Sequence, residues 1–109
     1  MKKVYVIGIK GSGVVAVVEI LHSMGIEIVG SDTSEKFFTD AILEKLGIKY
    51  FEVFSADNIP NDADLILYSS SYNIENNIEL AEVARRKLPM ASYPEMLAEL
   101  FNKKYGIST

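Results

Sequence analysis

The first thirteen residues constrain this chain more than any other stretch. Val4, Tyr5, Val6 and Ile7 are consecutively β-branched or aromatic, which is the pattern of a strand buried on both faces. That strand, predicted over residues 3–8, runs directly into Gly8-Ile9-Lys10-Gly11-Ser12-Gly13. A helix is predicted over residues 12–24, with Val14, Val17, Val18 and Leu21 at helical spacing on one face and Gly25 as its stop. A strand apolar on both sides needs cover above and below, and helices of a parallel sheet supply it.

The rest of the chain repeats this alternation. Short strands are predicted over residues 27–31, 48–51, 64–69 and 90–92. Between them lie three further helices. One ends near Leu46 with Phe38, Ile42 and Leu46 as its stripe. One carries Leu80, Ala81, Ala84 and Leu88. The last covers residues 94–103 with Leu97, Leu100 and Phe101 as its apolar face. Residues 55–64 and 69–77 are polar loops, and residues 105–108 could begin another strand. The pattern predicts an α/β, Rossmann-like, doubly wound parallel sheet of about five strands, ordered 3-2-1-4-5. Its crevice lies at the carboxyl ends of strands one and four. With 109 residues and nearly half of them hydrophobic, the chain fits one domain, without repeats or low-complexity tracts.

Composition removes several function classes. The net charge is −4, against the clustered Lys and Arg that general nucleic-acid binding needs. There are no cysteines, so disulfides and thiol chemistry are excluded, which suits a reducing cytoplasm. The apolar run after Met1-Lys2-Lys3 is too short for a signal peptide, and no stretch approaches the ~20 apolar residues of a membrane span.

The glycine loop carries the first chemistry. A tight strand-to-helix turn needs positive φ and close backbone approach, and the helix after it aims N–H groups and its positive dipole end at an anion. Gly8, Gly11 and Gly13 fit that role, and Ser12 adds a hydroxyl. The spacing departs from the dinucleotide fingerprint G-x-G-x-x-G, because Lys10 stands at the second glycine, and it lacks the Gly-Lys-Ser/Thr of a Walker loop. The competing reading is a turn that packs helix on strand and binds nothing.

Other polar segments cluster at strand ends. Asp32, with Thr33 and Ser34, follows the second strand about 20 positions after the glycines. An acidic residue there receives ribose hydroxyls in dinucleotide folds, though Asp32 or Ser34 could equally cap the next helix. Ser69, Ser70 and Ser71, followed by Tyr72 and Asn73, lie across the crevice, or form a plain polar loop. Asn76 with Glu79, and Ser92 with Glu95, have capping-box spacing and read as structural. His22 reads as an ordinary helix residue, Arg85-Arg86-Lys87 as a dipole-complementing helix end, and Glu95, Glu99, Lys103 and Lys104 as a solvated face. No cluster has metal-ligand spacing.

Taken in order, Gly8-Ile9-Lys10-Gly11-Ser12-Gly13, Gly30-Ser31-Asp32, Ser69-Ser70-Ser71 with Asn77-Ile78-Glu79, and Glu95-Met96-Leu97-Ala98-Glu99-Leu100 resemble the N-terminal domain of the Mur ligases, nearest to the alanine-adding branch. The resemblance spans essentially the whole chain. It departs where Lys10 replaces a family glycine, and where Ser71 and Ile78 replace the usual Ala and Pro. A Lys at position 10 could crowd a diphosphate or pair with it.

The resemblance implies a cytoplasmic, ATP-dependent ligase of peptidoglycan biosynthesis, of which residues 1–109 are the first domain. The central ATP-binding and C-terminal domains lie outside this chain and would be its partners in cis. The domain itself needs no cofactor and holds no catalytic residue, while ATP and Mg serve the full-length enzyme. The ligand implied is UDP-N-acetylmuramate or another UDP-sugar. Gly11, Ser12 and Gly13 would face the diphosphate, with Lys10 among the substrate-binding residues as block or partner, and Asp32, Thr33, Ser34, Ser69, Ser70 and Ser71 would border the uridine. Three rivals remain open at this level. They are an NAD-type dinucleotide module, the related ligase that reattaches recycled murein peptide, and a non-catalytic interaction domain with a vestigial crevice.

Overall fold

The alternation is realised in a computed structural model that describes the backbone of residues 1–105 and the side chains of residues 1–102. In chain order the elements are β1 (Lys3–Ile7), α1 (Ser12–Ser23), β2 (Glu27–Ser31), α2 (Thr39–Leu46) and β3 (Lys49–Phe51). A short 3₁₀ turn (Ala56–Asn58), β4 (Leu65–Tyr68), α3 (Ile78–Arg86), β5 (Met90–Ser92) and α4 (Tyr93–Tyr105) follow. Every strand pairing is parallel, and the order is β3-β2-β1-β4-β5, as the sequence predicts. Tyr105 closes α4, so of the sixth strand considered at 105–108, residues 106–108 lie outside the described residues.

The central strand divides its side chains between two cores by its period of two. Val4 and Val6 face α1, α2 and α4, packing with Val14, Val17, Val18, Leu21, Leu43 and Met96. Tyr5 and Ile7 face the other way, onto Leu80 and Val83 of α3 and Ile59. Each fully buried Val or Leu contributes about 1.5–3 kcal/mol.

Three helix faces are rotated from their predicted stripes. Helix α2 begins only at Thr39; Phe38 precedes it and is 73% exposed, while the buried anchor is Leu43, with Ile42 and Leu46 half-buried. A hydrogen bond from Thr39 Oγ1 to the Lys10 carbonyl (2.6 Å) turns the 39/43 face inward. On α3 the buried residues are Glu79, Leu80 and Val83, and Ala81, Ala84 and Leu88 are only partly covered. On α4, Met96 is buried and Leu100 half-buried, whereas Leu97 and Phe101 are exposed.

The caps explain part of that rotation. The Ser92–Glu95 box forms as expected: Glu95 Oε1 accepts from Ser92 N (2.9 Å), and Ser92 Oγ accepts from Glu95 N (3.4 Å). On α3 the cap is Asn77, one residue after the predicted Asn76. Asn77 Oδ1 accepts from Glu79 N (2.9 Å) and Leu80 N (3.1 Å), and Asn76 instead accepts from Asn73 N. Glu79, freed from a capping box, turns into the interior.

There Glu79 is completely buried and accepts four hydrogen bonds. Tyr5 Oη (3.0 Å) and Ser31 Oγ (2.6 Å) donate to Oε1; Ser55 N (3.0 Å) and Asn58 Nδ2 (2.9 Å) donate to Oε2. One carboxylate thus joins β1, β2, the 3₁₀ segment and α3. Burial, reinforced by the Glu79 charge and partly opposed by the Ser31 hydroxyl, pushes the Tyr5 phenol far above its usual range, so it remains a donor.

Replacing Glu79 separates its two oxygens. In Glu79→Gln the amide oxygen can serve Ser55 N–H and Asn58, while its NH₂ donates to the Tyr5 and Ser31 hydroxyls, which can accept. We expect urea unfolding to report a loss of about 1 kcal/mol for Glu79→Gln and about 3 kcal/mol for Glu79→Ala, which strands the buried Tyr5 and Ser31 hydroxyls and removes an acceptor from the part-buried Ser55 N and Asn58 Nδ2.

Candidate functional site

A crevice of about 320 Å³ opens at the carboxyl ends of β1, β2 and β4, where ligands enter open α/β sheets. Gly8, Lys10, Gly11, Ser12 and Asp32 form one part of its lining. Ser69, Ser71 and Tyr72 face them, and Phe37 and Phe38 stand at a third side.

The glycine loop is fastened to the end of β2 by three successive amides. Gly8 N (2.9 Å) and Ile9 N (3.0 Å) both donate to the Ser31 carbonyl. Lys10 N donates to Asp32 Oδ2 (2.8 Å), and the other carboxylate oxygen of Asp32 accepts from Thr33 N (2.7 Å). Asp32 therefore caps no helix. It braces the loop from below while still lining the crevice.

The three glycines divide their work. Gly8 has φ +80°, and a Cβ there would lie 2.8 Å from Ser69 Cβ and 2.9 Å from the Tyr72 ring. Gly13 lets Tyr93 approach: its Cβ would meet that ring at 2.5 Å. Gly11 is required by neither consideration. Its φ and ψ of −63° and 138° suit any residue, and a Cβ would meet nothing closer than Val14 Cγ2 at 3.3 Å. Gly11 lines the crevice at the start of α1.

Helix α1 begins there with no side-chain cap and no acidic residue in its first turn. Its first i→i−4 bond is Val15 N to Gly11 O (2.8 Å), so the N–H groups of Ser12, Gly13 and Val14 have no intrahelical acceptor. They sit with the positive end of the helix dipole at the crevice mouth, an arrangement suited to a phosphate.

Lys10 lies in the crevice wall, but its ammonium points away. The side chain is fully buried against Tyr50, 5.5 Å from the ring centroid. Nζ donates to the Glu35 carbonyl (2.8 Å) and Glu52 Oε2 (2.9 Å) and is 3.3 Å from Asp40 Oδ2. Burial opposes this charge, yet hydrogen bonds and attraction from Glu52 and Asp40 outweigh it and hold the lysine above its ordinary value. Lys10 and Lys36 in turn hold Glu52 below the usual carboxylate range. The Lys10 ammonium is thus neither a block nor a free partner for an anion.

Of the residues nominated from sequence, the crevice gathers Lys10, Gly11, Ser12, Asp32, Ser69 and Ser71. Gly13, Thr33, Ser34 and Ser70 lie outside its lining; Ser70 borders a neighbouring hollow with Tyr72 and Asn73. Ser69 Oγ accepts from Ser71 N (3.2 Å), closing the serine turn on itself. Tyr72, which the sequence places across the crevice with the serines, lines it too, whereas sequence reading missed Phe37 and Phe38. The signal available was Phe38 beside a second aromatic at a helix start, where helical periodicity assigned it to the core. Burial, with the Asp32 charge behind it, pushes the Tyr72 phenol up, leaving a neutral hydroxyl. No group of three or more acidic or histidine side chains is placed for a metal ion among the described residues, and none of the described helices is long and apolar enough to cross a membrane.

Comparison with known proteins places this geometry. The sequence pattern of the Mur ligase family, catalytic domain, matches residues 3–105. A UDP-N-acetylmuramate–L-alanine ligase of Treponema pallidum is 41% identical over 98 residues, covering 90% of this chain and 20% of the relative. The crystal structure of UDP-N-acetylmuramate–alanine ligase from Thermotoga maritima superposes with a TM-score of 0.83 at 28% identity, over 94% of this chain and 23% of that one. The UDP-N-acetylmuramate:L-alanyl-γ-D-glutamyl-meso-diaminopimelate ligase from Neisseria meningitides gives 0.78 at 28% identity, over 91% and 31%. The chain spans about a fifth of the length of the curated relatives it matches.

The division of labour among the glycines sets an order of stability. Gly8→Ala combines a strained φ with a clash and should cost about 2 kcal/mol or more. Gly13→Ala, where the Tyr93 ring can swing aside, should cost less, and Gly11→Ala should stay within about 1 kcal/mol of the parent. Thermal melts of the three variants check the order.

Asp40 Oδ2 is buried without a hydrogen bond and is balanced by the Lys10 (3.3 Å) and Lys36 (3.8 Å) ammonium groups. Lys10→Met removes the nearer one, so we expect a melting temperature several degrees lower at neutral pH. The raised lysine contributes fully below its unfolded pKa and is lost as pH rises through the higher folded value. The depressed Glu52 contributes above its unfolded pKa and is lost as pH falls through the lower folded value. The deficit of Lys10→Met should therefore be flat between about pH 5 and 9 and shrink under acid conditions where Glu52 protonates.

Proposed function

The chain belongs to the Mur ligase family, and we propose on that footing that it is the family's N-terminal domain and holds the UDP portion of UDP-N-acetylmuramate. The observation that carries the reading is the junction of Gly11 with the uncapped start of α1. Gly11 and Ser12 line the crevice at a helix start that has no side-chain cap and no acidic residue in its first turn.

In this reading the diphosphate lies on the amides of Ser12 and Gly13 with the Ser12 hydroxyl beside it. Lys10 contributes its place in the wall and not its charge. The uridine is bordered by Asp32 on one side and by Ser69 and Ser71 on the other, with the neutral Tyr72 hydroxyl available as a donor. The buried attachment of the glycine loop to β2 means that the binding amides are preorganised, so little ordering is needed on binding.

The reaction belongs to the whole cytoplasmic enzyme of peptidoglycan biosynthesis, with domains outside residues 1–109 supplying the sites for ATP, Mg and the amino acid. ATP phosphorylates the muramyl carboxylate, and the amine attacks the acyl phosphate to form an amide and release phosphate. No step of that chemistry falls on the residues described here. We assign L-alanine as the group added, following the names of the curated relatives. The likeness to the Neisseria meningitides peptide ligase supports transfer of a recycled peptide as the second reading. Ligation assays of the full-length enzyme with L-alanine and with tripeptide separate the two.

Titration calorimetry of the 109-residue chain tests the ligand class. We expect UDP-N-acetylmuramate and UDP to bind, NAD to bind more weakly or not at all, and Gly11→Val to abolish UDP binding with the fold intact. A clear preference for NAD would overturn the assignment.

A further inference from the structure

Phe37 and Phe38 are adjacent aromatic residues, 42% and 73% exposed, on the wall of the same crevice as the glycine loop. Periodicity would place Phe38 in the core, yet the fold holds it out, and the segment carrying it is firmly anchored. The Glu35 carbonyl accepts from the buried Lys10 ammonium (2.8 Å), and Thr39 Oγ1 donates to the Lys10 carbonyl (2.6 Å). Between them, Phe37 N donates to Asp40 Oδ1 (3.2 Å) and Asp40 N to the Phe37 carbonyl (3.1 Å). The exposure of the two rings is thus enforced by buried polar contacts at both ends of the segment. Lys10 acts here as a positioning residue, which accounts for a buried lysine in a loop otherwise made for phosphate.

Resting on the reading of the site as a UDP pocket, we infer that Phe37 and Phe38 form a stacking shelf for the uracil ring on the crevice wall they share with the glycine loop and the serine turn. A phosphate held at Gly11 leaves the nucleoside to extend along the crevice. A flat π-surface on its wall offers base contact that needs no hydrogen-bonding side chain. Asp32 is committed to loop amides, so on this side of the crevice the aromatic wall is the surface left for the base.

The test uses the 109-residue chain with UDP and inorganic pyrophosphate as separate probes, binding followed by ligand-observed NMR. In the parent, the uracil H5 and H6 signals should move upfield on binding and receive saturation transferred from aromatic protons. Phe37→Ala and Phe38→Ala should each weaken UDP about tenfold, leave pyrophosphate unchanged and leave the melting temperature close to that of the parent. Phe38→Leu should behave like Phe38→Ala, and Phe38→Tyr should retain affinity and the upfield shift. Full affinity in Phe38→Leu, or unchanged UDP binding in both alanine variants while Gly11→Val abolishes it, overturns the shelf and leaves the UDP site standing. An equal loss of pyrophosphate also overturns it, because the segment would then support the loop and not the base. Absence of UDP binding by the parent chain overturns both the shelf and the reading beneath it.

Discussion

Three consecutive amides, those of Gly8, Ile9 and Lys10, donate to the last residue of β2 and the acid that follows it. Everything at the crevice depends on that attachment. It fixes where the chain leaves β1, hence where α1 begins and which way its unpaired N–H groups point. Ser31 is the pivot. Its carbonyl holds two of the amides, and its hydroxyl reaches the opposite face of the sheet to the buried Glu79. The glycine loop on one side of β2 is therefore tied to α3 on the other, through one residue.

Charged groups in this domain act chiefly as structure. Glu79 gathers four donors from three segments, Asp32 braces the loop, and Lys10 anchors the run that ends in α2. What remains for a ligand is mostly backbone, hydroxyls and aromatic surface. That composition reconciles a net charge of −4 with an anionic ligand, since peptide dipoles at a helix start attract a phosphate without any cationic side chain. It also separates the glycines that serve packing, Gly8 and Gly13, from Gly11, which the fold does not need.

The strand order and the position of the crevice were legible in the sequence because they follow from local pattern. A doubly apolar strand, short helices and glycine or polar breaks leave few topologies open. Helix faces were less legible. The stripe through Phe38 failed because Thr39 is drawn inward by a carbonyl from a distant loop, a tertiary contact that periodicity does not contain. Glu79 was read as half of a capping box for the same reason, since nothing local announces that Tyr5, Ser31, Ser55 and Asn58 converge on it. Lys10 was visible as an anomaly in the glycine loop, but its partners lie 25 to 42 positions away, so the direction of its side chain could only come from the fold.

The central claim is that a UDP-sugar enters at the start of α1. Amide chemical-shift mapping with UDP-N-acetylmuramate on the 109-residue chain addresses it most directly. The account predicts the largest shifts at Gly11, Ser12 and Gly13, with smaller ones at residues 32–38 and 69–72. Shifts centred on α4, or none at saturating ligand, would contradict it.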